Sequence, residues 1–229
     1  AVVGRLAIDS IGPLWLNALR WVVAFALLLP LGLAALGTAR ARAQIRERWQ
    51  VLAILGLIGV GAYNALQYMA LRTSTPLNVT LIASSSPVWT LLIGALAYGA
   101  VPTRQQLAGA VLSLCGVALV LARGEPAALA DVRLVQGDLL MLLAIIGWSF
   151  YSWMLARPPA SMRGAARPAW NWAEFLVAQC VFGVAWAVGA AGLGELVVPT
   201  GPIQWSWQLA AAILFVAVGP SIIAYRLWG

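Results

Sequence analysis

Apolar runs of about twenty residues alternate with short polar stretches along the whole chain, and each run is long enough to cross a bilayer as a helix. The pattern predicts spans at about 13–36, 50–71, 77–99, 103–122, 138–156, 170–193 and 205–229. Residues 1–8 read as the tail of a further helix, and the chain stops inside an apolar one, at AYRLWG. The stretch 39–49, ARARAQIRERW, reads as a short basic loop, and 123–137 is the longest polar connection. Thr103 and Gln106 have the T-x-x-Q spacing of a helix-opening capping box. Gly109 and Gly116 in the helix that follows are expected at close-packing points.

One stretch breaks the apolar rhythm. From Gly56 to Trp89 the chain reads as two apolar helices joined by a polar turn at Arg72–Pro76. Gly56, Gly59 and Gly61 thin the first helix, and Tyr63, Asn64 and Gln67 follow at spacings that share one face. The second holds Ser84, Ser85 and Ser86 and then Pro87, which cannot donate to the Ala83 carbonyl, so a bend is expected there. Polar side chains and broken backbone persist in lipid only where they face protein or a water-filled cavity. The expected solute pathway therefore takes in Tyr63, Asn64, Gln67 and Ser86, with helix breaks at Gly59, Gly61 and Pro87. Each has a blander reading. The first three can simply bond between helices, and the serines can satisfy carbonyls freed by Pro87.

Elsewhere, Trp148, Tyr151 and Ser152 form a helical stripe, and Trp148 lies mid-span, away from the interfaces where Trp normally anchors, so Trp148 and Tyr151 join the expected pathway, with plain packing as the blander reading. Arg20 lies about two turns into a span. It is either a structural or snorkelling cation or a charge that attracts an anionic group in a cavity, with Asp9 a nearby candidate partner. Trp170 and Trp172 read as interfacial belt residues. Glu174 beside them reads as an interfacial acid, with proton coupling as the sharper alternative.

Composition agrees with the pattern. Hydrophobic residues make up 62% and charged residues 9%, with a mean hydropathy of +0.90; soluble domains carry about 25% charged residues. The net charge of +7 comes from fourteen arginines that sit mostly in short loops, without the aromatic-interleaved basic stripe of a nucleic-acid binder. No nucleic-acid partner is expected. With no histidine there is no His-based metal site or triad, and Cys115 and Cys180 read as small buried hydrophobes. No metal or cofactor is expected.

Charge also predicts topology. The loops with Arg40, Arg42, Arg46 and Arg48, then Arg104, then Arg157, Arg163 and Arg167 fall on one side, which should be cytoplasmic. On the other side Arg5, Arg72, Arg123 and Arg133 are diluted by Asp9, Glu125, Asp131 and Asp138, and the Glu195 loop carries no Arg. Setting Tyr63 against Tyr225 brings the run AILGLIGVGAYNALQ beside AILFVAVGPSIIAYR, with a Gly219-Pro220 break near the position of the first. The charge pattern makes the two helices run in opposite directions. Breaks at corresponding positions of inverted halves point to a transporter's substrate site, so Tyr225, Gly219 and Pro220 join the candidates. The expected organisation is a first repeat at 1–122, an extracytoplasmic linker at 123–137 and a second repeat at 138–229, both repeats truncated at the chain ends.

The order and spacing of several short motifs resemble the EamA family of the drug/metabolite transporter superfamily. They are PLWLNALRW at Pro13–Trp21, Tyr63 ahead of Met69–Leu71, Pro87-Val88 within a span, QQLAGAVLSLCGVALV from Gln105, GDLLMLLAIIGWSFYSWML from Gly137, and AYRLWG at the end. Ala100-Val101 stands where family members often carry Glu-Arg before the T-x-x-Q helix start, so any role of that glutamate is missing from this half. The resemblance implies an all-α polytopic membrane protein with a five-plus-five inverted helix repeat, seen here as a fragment of about seven spans and a partial first helix. It also implies a multi-pass plasma (bacterial inner) membrane protein that exports amino acids, metabolites or drugs.

The expected function is secondary transport by alternating access, with a small-molecule solute and the lipid bilayer as partners and a homodimer left open. An intramembrane transferase-type enzyme and a non-transporting scaffold are the alternatives. Such enzymes need clustered acids or a nucleophile with its base, and the chain offers neither; it also lacks a nucleotide-binding G-x-x-x-x-G-K-[ST]. No enzyme activity is expected, and a 229-residue chain lacking its last helices is expected to be inactive in transport.

Overall fold

The computed structural model describes residues 2–122 and 135–228, and every regular element among them is helical. The short α1 (Val2–Ala7) leads to α2 (Pro13–Gly32), α3 (Ala34–Gly37) and α4 (Ala39–Glu47). Then α5 (Trp49–Leu55) passes through a π-helical segment, Gly56–Ala62, into α6 (Tyr63–Ala70). After a turn come α7 (Pro76–Ser84), α8 (Ser86–Tyr98) and α9 (Arg104–Ala122). The rest is α10 (Gln136–Ala156), α11 (Trp172–Val197), and α12 (Trp207–Ala217), which passes through a second π-helical segment, Val218–Ile223, into α13 (Ala224–Trp228). Of the expected 123–137 linker, residues 123–134 lie outside the described residues.

Among the described residues six stretches are long and apolar enough to cross a membrane: Pro13–Gly32, Trp49–Ala70, Pro76–Tyr98, Gln136–Ala156, Trp172–Val197 and Trp207–Trp228. Seven were expected. The seventh, α9, is apolar over Arg104–Val120 but shorter; its 19 residues rise about 28 Å, against a hydrocarbon core of about 30 Å. Large apolar side chains such as Leu96, Leu112, Leu119 and Leu193 stand exposed on the outside of the bundle, where lipid rather than water is their natural solvent.

The helix starts follow local chemistry. Pro13 and Pro76 occupy first-turn positions where their missing N–H costs nothing. Thr75 Oγ1 accepts from Asn78 N at 3.1 Å. The T-x-x-Q box forms as expected, Thr103 N donating to Gln106 Oε1 at 2.9 Å and Gln106 N to Thr103 Oγ1 at 3.2 Å. Glu174 closes a second box. Asn171 N donates to its carboxylate at 2.8 Å, and Asn171 Oδ1 accepts from the Ala173 and Glu174 amides. The acid is thus the N3 partner of the Asn171 cap.

Three further expectations are corrected. The 39–49 stretch is not a loop: Ala39–Glu47 is helical, started by Thr38, whose Oγ1 accepts from Ala41 N at 3.0 Å. Among the described residues Gly109 and Gly116 are not packing points, since none of these residues comes within 4 Å of where a Cβ would stand on either. Small residues alone do not recruit a neighbouring helix. Cys180 is fully buried as expected, but Cys115 is exposed on α9.

The bundle is held at its centre by α11, which packs along α2 and across the glycine-bearing π segment. Small residues set that approach. A Cβ on Gly56 would lie 2.7 Å from the Gln179 carbonyl and the Gly183 nitrogen, and one on Gly32 would lie 2.8 Å from the Ala173 carbonyl. Gly183 in turn admits the Val60 side chain.

The two ends of the bundle differ. At one end Arg48 ties the 39–49 stretch to the α10–α11 connection, donating from Nε to Ser161 O at 3.0 Å and from Nη2 to Ala166 O at 2.8 Å. Arg157 donates to Tyr98 O at 2.8 Å. At the other end Arg5 donates to Leu71 O at 3.0 Å, Gly137 N to Thr73 Oγ1 at 2.9 Å, and Ser74 Oγ to the buried Asp138 carboxylate.

Candidate functional site: two broken helices facing one arginine helix

A π-helical turn replaces the i→i−4 bond with i→i−5 and leaves backbone groups short of their usual partners. The chain has one such turn at Gly56–Ala62 and one at Val218–Ile223. Setting Tyr63 against Tyr225 places Gly56 opposite Val218 and Ala62 opposite Ala224, so the two irregular segments coincide in that register. Overlaying the runs instead from their shared Ala-Ile-Leu starts at Ala53 and Ala212 shifts them by three residues. The tyrosine pairing is the register that matches the structure.

Both segments meet α2. Asn17, buried in the bundle, donates from Nδ2 to Val60 O at 3.2 Å and to Gly61 O at 3.0 Å. Tyr225 Oη, on α13 two residues past the second break, donates to Gly59 O, so a residue beside the second break satisfies a carbonyl of the first. In the second break Ser221 Oγ donates to Val216 O at 2.8 Å and accepts from Arg20 Nε at 2.8 Å. Arg20 also donates from Nη1 to Tyr68 Oη at 2.9 Å. Two residues one turn apart on α2 thus hold the two breaks, Asn17 the first and Arg20 the second.

Four expected pathway residues come together as an aromatic group. Tyr63 and Trp148 ring centroids are 4.8 Å apart, Trp148 and Tyr151 5.0 Å, Trp148 and Tyr225 5.5 Å, and Tyr151 and Tyr225 5.9 Å. Trp21 meets Tyr225 edge to face at 5.2 Å. Tyr151 is pinned by donating to Gln179 Oε1 at 3.0 Å. Gly59 is what admits this ring, because a Cβ there would lie 2.7 Å from Tyr151 Cε2.

The other candidates are placed less centrally. Asn64 is buried and Gln67 half-buried on α6. At the third predicted break the helix is interrupted as expected, α7 ending at Ser84 and α8 starting at Ser86, with Pro87 in its first turn. The polar repair falls to neighbours of Ser86: Ser84 Oγ donates to Thr80 O at 3.0 Å, Ser85 Oγ to Ile82 O at 2.6 Å, and Ser113 Oγ from α9 to Ser84 O at 2.8 Å. Asp9 is exposed and does not pair with Arg20. Arg20 does not snorkel; it is only 1% exposed.

Cavities lie on either side of this centre. At the Arg72 end a volume of about 510 Å3 is lined by the start of α2 (Gly12 to Trp15), Met69, Arg72, Thr73, Gln136, Leu140 and the end of α11, including Glu195. A polar volume of about 420 Å3 beside it shares Gly12, Arg72 and Thr200. Towards the Arg48 end the space is smaller, about 130 Å3, and is lined by Tyr151 and Tyr225 together with Gln179 and Trp228. Tyr63, Asn64, Gln67 and Trp148 line none of these three volumes.

Sequence reasoning missed Asn17, Tyr68, Gln179 and Ser221. The available signal was an Asn and an Arg at i and i+3 within one apolar span.

The EamA-like transporter family matches residues 1–122. An uncharacterized transporter, YyaM, of Bacillus subtilis is 26% identical over 110 residues, 48% of this chain and 36% of the relative. An uncharacterized transporter of Archaeoglobus fulgidus is 26% identical over 185 residues, 80% of this chain and 58% of the relative. The chain thus spans about a third and somewhat over half of these relatives' lengths. A protein of known crystal structure shares the fold, with a TM-score of 0.64 and 23% identity across 99% of this chain and 74% of its own.

Proposed function

The chain belongs to the EamA-like transporter family, and from that premise we propose that it works as a secondary transporter that exports small metabolites. The observation that carries the reading is the pair of π-helical breaks. Both are bound to α2, and they lie between a large cavity at one end and a small one at the other. Broken helices near the bilayer midplane present backbone groups and polar side chains to a solute without exposing them to lipid. The Arg48 end is cytoplasmic and is closed in this conformation by the Arg48 bonds to Ser161 and Ala166. The Arg72 end is extracytoplasmic, and its cavity is the open vestibule. Alternating access then consists of releasing the Arg48 tie while the vestibule closes over Trp15 and Met69.

Tyr63, Asn64, Gln67, Ser86, Trp148, Tyr151 and Tyr225 border the solute's route, the aromatic group forming the seal between vestibule and inner cavity. The test is efflux from preloaded cells, with and without the intact protein that bears this sequence, across a panel of amino acids, aromatic acids and amines. Faster efflux of at least one solute, lost on Asn17→Ala, is the expected result. Equal efflux across the panel with the protein correctly inserted would instead favour an intramembrane enzyme or a scaffold.

A further inference from the structure

We propose that Arg20 is the binding residue for an anionic group on the transported solute, and that this solute is an organic monoanion with an apolar or aromatic body. The inference rests on the transport reading above and names the chemistry of its site.

Arg20 is buried to 99%, on a helix apolar enough to cross the membrane. A buried guanidinium is strongly destabilised unless an anion and hydrogen-bond acceptors compensate it. Here it has only neutral partners, the hydroxyls of Ser221 and Tyr68, and among the described residues it forms no salt bridge. Its Nη2 has no partner among the described residues. The indole Nε1 of Trp21, the next residue on α2, is likewise buried and unpartnered. Two orphan donors therefore stand on adjacent residues, and the complement that both lack is an acceptor with negative charge, such as a carboxylate.

The surroundings supply the rest of the specificity. The guanidinium carbon lies 5.5 Å from the Trp21 ring centroid and 6.0 Å from that of Tyr68. Tyr68 precedes Met69, which lines the 510 Å3 vestibule, and Trp15 on that same wall is five residues from Arg20 along α2. That separation is about 7 Å of helix rise. Along α2 from Trp15 comes Arg20 and then Trp21, whose ring meets Tyr225 of the aromatic group edge to face. Capture of the anion also bears on conformation. Arg20 holds Ser221 of the second break and Tyr68 just after the first, so a ligand that draws on the same guanidinium competes with both contacts.

The test uses the 229-residue chain in lipid nanodiscs and intrinsic tryptophan fluorescence, with phenylacetate, its uncharged isostere phenylacetamide, and acetate as probes. Saturable binding of phenylacetate is expected, with phenylacetamide at least about tenfold weaker, the loss expected for one hydrogen bond to a charged group, and acetate at least about tenfold weaker because it has no ring to bury. Arg20→Gln should abolish the preference for phenylacetate over phenylacetamide, and Arg20→Lys should keep part of it. Equal binding of phenylacetate and phenylacetamide to the unaltered chain, or no saturable phenylacetate binding, would overturn the assignment. That comparison decides the matter even if Arg20→Gln does not fold. Efflux of neutral solutes without preference for anions would refute this inference and leave the transport reading standing.

Discussion

Gly59→Ala is the sharpest single probe of how α10 meets the first π-helical segment. The added Cβ would stand 2.7, 3.1 and 3.2 Å from Tyr151 Cε2, Cδ2 and Cζ, where carbon atoms normally keep about 3.5–4.0 Å. The ring would have to retreat by about 0.8 Å on this spacing. It has little room to do so. Tyr151 is 2% exposed, its hydroxyl is bonded to Gln179 at 3.0 Å, and its face stacks on Trp148 at 5.0 Å. Overpacking of this kind costs about 1–3 kcal/mol. The assay is equilibrium unfolding in mixed micelles, run as a double-mutant cycle with Tyr151→Ala. Removing the ring makes room for the methyl, so the two losses should fall short of additive by about 1 kcal/mol or more. Gly109→Ala is the control. Among the described residues nothing lies within 4 Å of its Cβ position, and a helical Gly→Ala exchange there should be neutral or stabilising by up to about 1 kcal/mol. A Gly59→Ala protein as stable as the unaltered one, or strictly additive effects with Tyr151→Ala, would refute the packing described.

Asn17→Ala removes both donors to the Val60 and Gly61 carbonyls and should destabilise the chain by about 1–3 kcal/mol in the same unfolding assay, the cost of buried acceptors left unpaired. Cysteines placed at the exposed positions Gly37 and Ser161 should resist an impermeant thiol reagent in intact cells and react after permeabilisation; labelling of either in intact cells would invert the topology. Gln67→Ala should weaken solute affinity in competition binding by roughly three- to tenfold, one neutral hydrogen bond, while expression stays normal. Unchanged affinity would move the route off this face of α6.

The helical spans were legible because lipid imposes a length and a composition that few other environments demand. The breaks were legible too, since glycines and a proline inside apolar helices have few other uses. The basic 39–49 stretch misled because its arginines read as loop; the Thr38 cap and the i→i−4 bonds that form Ala39–Glu47 leave no mark in a hydropathy profile. The role of Arg20 was only half visible. Its depth in a span marked it as functional or structural, but its partners Tyr68 and Ser221 lie 48 and 201 residues away, and nothing local links them. Gln179 was hidden for the same reason, as its partner Tyr151 lies on another helix. Gly109 and Gly116 show the converse. A small-residue spacing states what could pack closely, not what does.

Solute counterflow in proteoliposomes tests the central claim most directly. Vesicles holding the intact protein that bears this sequence would be loaded with an unlabelled aromatic acid and exposed to trace label outside. The account predicts transient, saturable accumulation of label, absent in empty vesicles and lost in Asn17→Ala and Tyr225→Phe proteins that remain folded and inserted. No accumulation across a panel of organic anions and neutral metabolites, or full activity in both variants, would contradict it.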